Sequence, residues 1–355
     1  AAQADRLTET TGVIPPKRGN PWRQFSLLSL RYLELLKNDV VNLLILLLQA
    51  PLIALILYLL LTPGGRGIFD PTTVAGCNLN PPGTNIHVPQ TVPNRGSCQN
   101  VLNFLTFDPT GQAIAASRGG ANQALQDFIV PGAGNDSQKY LFIMAFAAVM
   151  FGIVNGVREI VKEAPIYRRE RTVNLGIAPY LFSKITVLGI LCLIQSAVLV
   201  FVVNLAAPIQ QGIILPAPVE IYITMALTAL AGLMLGLMIS ALAPNNDRAV
   251  SLIPLLLVPQ VIFSGILFKL DGPFLQGFGS LFAVRWGMAA AGSSIGIHGD
   301  KIGGDTWTYQ GTLFSTNSQT GATLHLLLCW FVLVAMIIIL GGLTAYFLKR
   351  KDIRS

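Results

Sequence analysis

Charge is what this sequence has least of. Only 12% of its 355 residues are Asp, Glu, Lys or Arg, against about 25% in a soluble globular chain, while 52% are hydrophobic and the mean hydropathy is +0.60. A soluble core of this composition would have no polar skin, which excludes a soluble domain, and the long apolar blocks exclude disorder over most of the length. Histidine is equally scarce. His87, His298 and His325 stand far apart, and the four cysteines form no pair at metal-ligand spacing, so no metal site is expected. Neither a Gly-x-x-x-x-Gly-Lys-Ser/Thr phosphate loop nor a Gly-x-Ser-x-Gly elbow occurs. No catalytic site is therefore expected on this chain, and no ATP site of that kind. Nor do the apolar blocks carry the mid-membrane Asp, Glu, Arg or His of a proton- or sodium-coupled pump. Energy coupling must come from elsewhere, or there is none.

What is present is a series of blocks. A bilayer-crossing helix needs roughly 20 mostly apolar residues, and six charge-free stretches meet or approach that: 40–61, 140–157, 185–207, 221–243, 249–268 and 324–348. The net charge of +7 is read against the membrane first, not against nucleic acid. With the N-terminus inside, the segments 1–39, 158–184, 244–248 and 349–355 hold 17 of the 24 basic residues. The expectation is a multi-pass protein of the plasma (inner) membrane, all-α, with six transmembrane helices and both termini cytoplasmic. Residues 1–19 read as a polar linker; the missing initiator Met suggests processing or a longer chain. Asn20-Pro21 is a helix start, and Trp22, Phe25, Leu28, Tyr32, Leu35 and Leu36 recur at helical spacing, giving an amphipathic helix over 20–38 in the inner interface, with Trp and Tyr at headgroup level. It leads into the six-helix region 39–355.

Three connections stand out. The outer loop 62–139 is long, rich in Gly, Pro, Asn and Thr, and holds Cys77 and Cys98; a disulfide would make it a small ordered subdomain, the alternative being two unpaired thiols. The outer segment 269–323 is too short in apolar length to span twice, so short re-entrant or interfacial helices are expected. The inner segment 158–184 alternates both signs of charge, which suits a protein-contact surface as well as it suits a solvated loop. Pro254 and Pro259 remove two backbone donors from the fifth block and should bend it. Gly152-x-x-x-Gly156 and Gly232-x-x-x-Gly236 permit close helix approach, each a motif of low specificity.

From Phe151-Gly152 and Asn155-Gly156, through Glu163-Ala164-Pro165-Ile166-Tyr167-Arg168-Arg169-Glu170-Arg171, to Tyr180-Leu181-Phe182-Ser183-Lys184, the chain resembles the membrane (permease) domain of ATP-binding-cassette exporters of the G-subfamily type, a type-2 ABC membrane domain. The resemblance continues in Gly236 to Pro244, in Pro254, Pro259-Gln260 and Phe263-Ser264-Gly265-Ile266-Leu267, and in Arg285-Trp286-Gly287-Met288-Ala289-Ala290, and covers residues 20–355. The long first outer loop and the missing nucleotide-binding domain depart from the pattern. The first leaves the substrate class open; the second implies an ATPase fused upstream or on a separate subunit.

The resemblance implies an ATP-driven exporter working by alternating access. Helix 20–38 would be the connecting helix, and Glu163, Arg168, Arg169, Glu170 and Arg171 would dock on the ATPase, where ATP and Mg are bound. A second copy would complete a cavity lined by Phe151, Leu255, Val258 and Val261 and closed by an apolar gate at Ile266 and Leu267. Such a cavity favours a hydrophobic, amphipathic or lipid-like substrate. The implied partners are the nucleotide-binding domain, a second copy and membrane lipids. The alternative is a membrane receptor or scaffold that transports nothing and binds a ligand or envelope component through its outer loop.

Overall fold

The computed structural model describes residues 20–61, 68–69, 77–81, 83–91, 97–128, 135–172, 175–210, 212–267, 270, 272–297 and 319–354. The expected linker 1–19 lies outside them, as do parts of both outer segments. Among the described residues the protein is all-helical, without a β-strand. Helix α1 (Pro21–Asn38) starts where Asn20 Oδ1 accepts from the Trp22 amide at 3.1 Å and Pro21 occupies the first turn. It breaks at Asp39, and α2 (Val40–Leu61) follows. Three short helices come next, α3 (Ser97–Phe107), α4 (Pro109–Ser117) and α5 (Ala121–Leu125). Then come α6 (Asn135–Gly156), α7 (Ala164–Thr172), α8 (Ile177–Ala206) and α9 (Ala217–Leu242). The remainder is α10 (Asn246–Ser251), α11 (Ile253–Ile262), α12 (Pro273–Gly279), α13 (Ala283–Ser294) and α14 (Gln319–Arg354).

Five of these, in α2, α6, α8, α9 and α14, are long and apolar enough to cross a membrane. The fifth apolar block of the sequence is not one of them: it is divided into α10 and α11 at Leu252, and α11 ends at Phe263 after ten residues that include Pro254 and Pro259. Prolines that remove amide donors and crowd the preceding turn account for the interruption.

The bundle is centred on α6 and α9, and small residues set their distance. A Cβ placed on Gly152 would lie 2.0 Å from the Ala229 carbonyl oxygen, and one on Gly232 would lie 2.4 Å from that of Val149. One turn further on, Gly156 meets the Leu233 carbonyl at 2.8 Å and Gly236 that of Ile153 at 2.7 Å. The two Gly-x-x-x-Gly motifs are thus the two halves of one contact. Lipid tails are as apolar as side chains, so close backbone packing of this kind replaces the hydrophobic drive between helices. By contrast α2 sits at the edge, with Val41, Ile45, Leu48 and Leu52 all exposed along one flank.

The 77–128 stretch has its own core, separate from the bundle: Val88, Val101, Phe104, Leu105, Leu125 and Phe128 are buried together around Cys77 and Cys98. The two cysteines form a disulfide, with Cα atoms 4.7 Å apart. Asp108 caps α4 by accepting from the Thr110 amide at 2.9 Å.

Candidate functional site

The densest polar assembly lies where α1, α7 and the start of α8 converge. Two contacts show how α1 runs. The Gln24 side-chain oxygen accepts from the Gly176 amide at 3.3 Å, and eight residues later the Tyr32 ring lies under the Lys184 ammonium, 3.5 Å from its centroid. Eight residues are also traversed on α8, so α1 climbs alongside α8 in the same direction, over about 12 Å at helical rise. Tyr32, on the apolar stripe of that helix, faces protein. It is only 3% exposed, and its hydroxyl donates to the Glu159 carboxylate.

Lys184, 2% exposed, donates to Glu163 Oε1 at 2.6 Å. The Tyr180 hydroxyl faces the other oxygen of Glu163 at 3.4 Å, and Lys162 donates to Glu159 Oε1 at 2.7 Å. Arg31 pairs with Glu170, joining α1 to α7 directly. Tyr167 packs against Tyr180 with the rings tilted and their centroids 4.8 Å apart, and closes the α7 side. Buried charges are tolerated only when paired and hydrogen-bonded, and here each carboxylate has a cation and a second donor or a close neighbour.

The electrostatics follow from that arrangement. Burial first, then the charge of Glu159, pushes the Tyr32 phenol well above its ordinary value, so it remains the proton donor in that bond. The hydrogen bond to Glu170 raises the Arg31 guanidinium further above neutrality. The arrangement ties three chain segments, α1, α7 and the start of α8, to one another. It contains no nucleophile poised beside a base, and the described residues hold no cluster of three or more His, Cys, Asp or Glu able to bind a metal.

Of the residues singled out in the sequence, Glu163 and Glu170 belong to this assembly. Arg168 and Arg169 lie exposed on α7, and Arg171 turns back to the Leu175 carbonyl. Leu255 and Val258 are exposed on α11, Val261 is half-buried beside them, and Leu267 is half-exposed beyond its end. Ile266 packs on the bundle core and donates its amide to Ser264 Oγ at 3.2 Å. Phe151 does not share that exposed face. It is fully buried within the bundle, next to the glycine contact of α6 and α9.

Other features went unread in the sequence. Tyr32, Glu159 and Lys184 belong to this assembly, although none of them was singled out as a site residue. Between α2, α6 and α8 runs a network of amides. Gln49 donates to Asn155 Oδ1 at 3.1 Å, Asn155 donates to Gln195 Oε1 at 2.7 Å, and Gln195 donates to the Leu46 carbonyl at 2.6 Å. Glu220, completely buried, collects the amides of Ile213 (3.0 Å), Ile214 and Leu215 (2.8 Å) on one oxygen and so folds the turn before α9. Near the Leu267 end, Phe263 stacks on Phe282 at 5.0 Å and meets Phe278 edge-on at 4.9 Å, anchoring the end of α11 to the two helices that follow.

Residues 111–294 match the family described as ABC-2 type transporter. Over 169 residues the chain is 30% identical to the ABC transporter ATP-binding/permease protein Rv1747 of Mycobacterium tuberculosis, an alignment that covers 46% of this chain and 20% of that protein. The match thus takes in about a fifth of the relative's length. With the family match running across more than half of the chain, and several helices able to cross a bilayer, this is a multi-pass membrane protein that belongs to the ABC-2 type transporters, as their membrane domain.

Proposed function

We propose that this chain is the permease half of an ATP-driven exporter, acting by alternating access on a hydrophobic, amphipathic or lipid-like substrate. The observation that carries the reading is the assembly of Tyr32, Glu159, Glu163 and Lys184 with the Arg31–Glu170 pair, which ties α1 and α7 to the end of a membrane-crossing helix. A push on α7 from below would then move α8 as one body. The push would come from a nucleotide-binding domain carrying ATP and Mg, fused upstream or on a separate subunit. The relative in M. tuberculosis is named for both ATP binding and permease activity, which supports a partner of that kind.

In this reading α7, with Arg168 and Arg169 outward, is the docking helix, and both termini are cytoplasmic in the plasma (inner) membrane. The sixth crossing is made by α10, α11 and the residues after them. A second copy faces the exposed side of α11, so that Leu255, Val258 and Val261 line the cavity and Ile266 and Leu267 form its gate. Phe151, buried in the protomer, is left out of that lining.

The test is a charge exchange in the complex reconstituted with its ATPase. Arg31→Glu and Glu170→Arg, singly, should abolish substrate-stimulated ATP hydrolysis while leaving membrane insertion intact. The double exchange should recover a large part of it. Unchanged stimulation in both single variants would refute the coupling role.

A further inference from the structure

A second charged region lies at the same end of the bundle, away from the α1 assembly. Four parts of the chain meet there. Val157 and Val161, in the turn after α6, share a small core with Ala243 and Ala249 on either side of the α9–α10 turn. Lys351, near the end of α14, donates to the Ala243 carbonyl at 2.8 Å and so caps the last turn of α9. The ammonium of Lys351 also lies close enough to Arg168 of α7 to feel its charge.

Four exposed cations flank these contacts: Arg158, Arg248, Lys349 and Arg350. Among the described residues none of these four is in an ion pair. The nearby acids are engaged elsewhere, Glu159 with Tyr32 and Lys162, and Glu163 with Lys184. Asp247, exposed beside Arg248, is the acid of the α9–α10 turn itself. Like charges crowded at one corner repel unless something anionic sits among them.

The depth of the corner says what that is. It lies at the ends of three bilayer-length helices, α6, α9 and α14. On α14 the exposed residues Ile339, Leu343, Tyr346 and Arg350 follow one another at spacings of four, three and four, a single stripe on one face of the helix. Aliphatic side chains give way to a tyrosine and then to a cation, the order in which hydrocarbon, interface and headgroup follow along a bilayer normal. Leu242, half-exposed at the end of α9, adds apolar surface beside the capped turn. A docking face for a soluble acidic protein would not need the aliphatic part of that stripe.

We infer that this corner holds the headgroup of an anionic phospholipid among Arg158, Arg248, Lys349 and Arg350, with an acyl chain along the Ile339–Leu343–Tyr346 stripe of α14. The bound lipid would neutralise the point where α7, the α9–α10 turn and the last helix meet, and so hold α7 in place from the side opposite α1. The site requires the corner to be at headgroup depth; it does not require the export reading.

The experiment is native mass spectrometry of the intact protein carrying this chain, released from nanodiscs of phosphatidylglycerol and phosphatidylcholine. Wild type should retain phosphatidylglycerol preferentially. A cation near an anionic surface raises affinity roughly fivefold, so Arg158→Gln, Arg248→Gln and Arg350→Gln together should lower that retention by roughly a hundredfold. The same three positions as Lys should keep it, which separates loss of charge from loss of fold. Equal retention of the two lipids by wild type, or unchanged retention by the Gln triple variant, would overturn the proposal. So would a Gln variant that keeps its lipid and loses only its association with the nucleotide-binding domain. No transport is measured, so failure of the lipid site and failure of the export reading are told apart.

Discussion

The paired glycines of α6 and α9 allow a graded test within one protein. Replacing Gly152 with Ala puts a methyl group 2.0 Å from the Ala229 carbonyl oxygen and 2.4 Å from the Leu233 amide nitrogen, both backbone atoms that no rotamer change can move. Side-chain Cβ atoms essentially never approach closer than 3.0 Å, so the helices must part by about 1 Å at this crossing. A gap of that size forfeits a quarter to a half of each dispersion contact along the interface, and overpacking generally costs about 1–3 kcal/mol. Against this, Ala in place of Gly within a helix gains about 0.5–1 kcal/mol. The net expected loss is about 1–2 kcal/mol. Gly342→Ala, with nothing within 4 Å of its new methyl, receives the helix gain alone, and Gly341→Ala meets only the Met234 sulfur at 3.7 Å. Thermal unfolding of the three variants in nanodiscs should rank Gly152→Ala below wild type and the two α14 variants at or above it. If Gly152→Ala melts with Gly342→Ala, the close approach of α6 and α9 is not what holds the bundle.

Three more tests address other parts of the molecule. Lys184→Met leaves the Glu163 carboxylate without its cation in a buried site, which costs about 3–5 kcal/mol, whereas the Lys184→Met, Glu163→Leu double variant should regain most of that in the same melt; equal instability of the two would refute the pairing. Tyr32→Phe removes a hydrogen bond to a charged acceptor, worth about 1.5–3 kcal/mol. Because burial and Glu159 hold that phenol above its ordinary value of 10, its contribution is complete below that pH and is lost as pH rises through the raised value, so the loss in the variant should be the same throughout the neutral range. Replacing Cys77 and Cys98 with Ser should destabilise the 77–128 region by about 3 kcal/mol, from its loop of 21 residues. Hydrogen exchange would show faster opening of α3 to α5 and unchanged protection in α6 and α9, and uniform loosening of both would argue against a separate core.

Apolar length made the crossing helices legible from composition alone, because a bilayer imposes a single periodless demand that survives any tertiary context. Asn20-Pro21 marked the start of α1 because capping is local. Over 249–268 hydropathy reads as one block, but the helix breaks at Leu252, two residues ahead of Pro254, and runs on through Pro259 to Ile262. Phe151 was assigned to the cavity through likeness of motif; burial inside one protomer depends on neighbours in α6 and α9 that no local pattern carries. Tyr32 lies more than a hundred residues before its partners Glu159 and Lys184, and Gln49 as far before Asn155 and Gln195, so neither set has a local spacing to detect. The two glycine motifs were each visible, but that they face one another is a property of the fold.

Those three amides bear on how the protein is made as well as on how it stands. Gln49, Asn155 and Gln195 enter the membrane one at a time, on α2, α6 and α8, and an amide without partners in hydrocarbon costs several kcal/mol. The first two can pair with each other, but Asn155 still lacks an acceptor for its own donor until Gln195 arrives, and only then does Gln195 tie itself to the Leu46 carbonyl of α2. Insertion of α8 should therefore be the step that commits the bundle. A nascent chain stopped before α8 is expected to be cleared by membrane quality control faster than one stopped after it. Replacing Asn155 with Leu should shrink the difference, and equal lifetimes for the two wild-type truncations would show that the amides play no part in assembly.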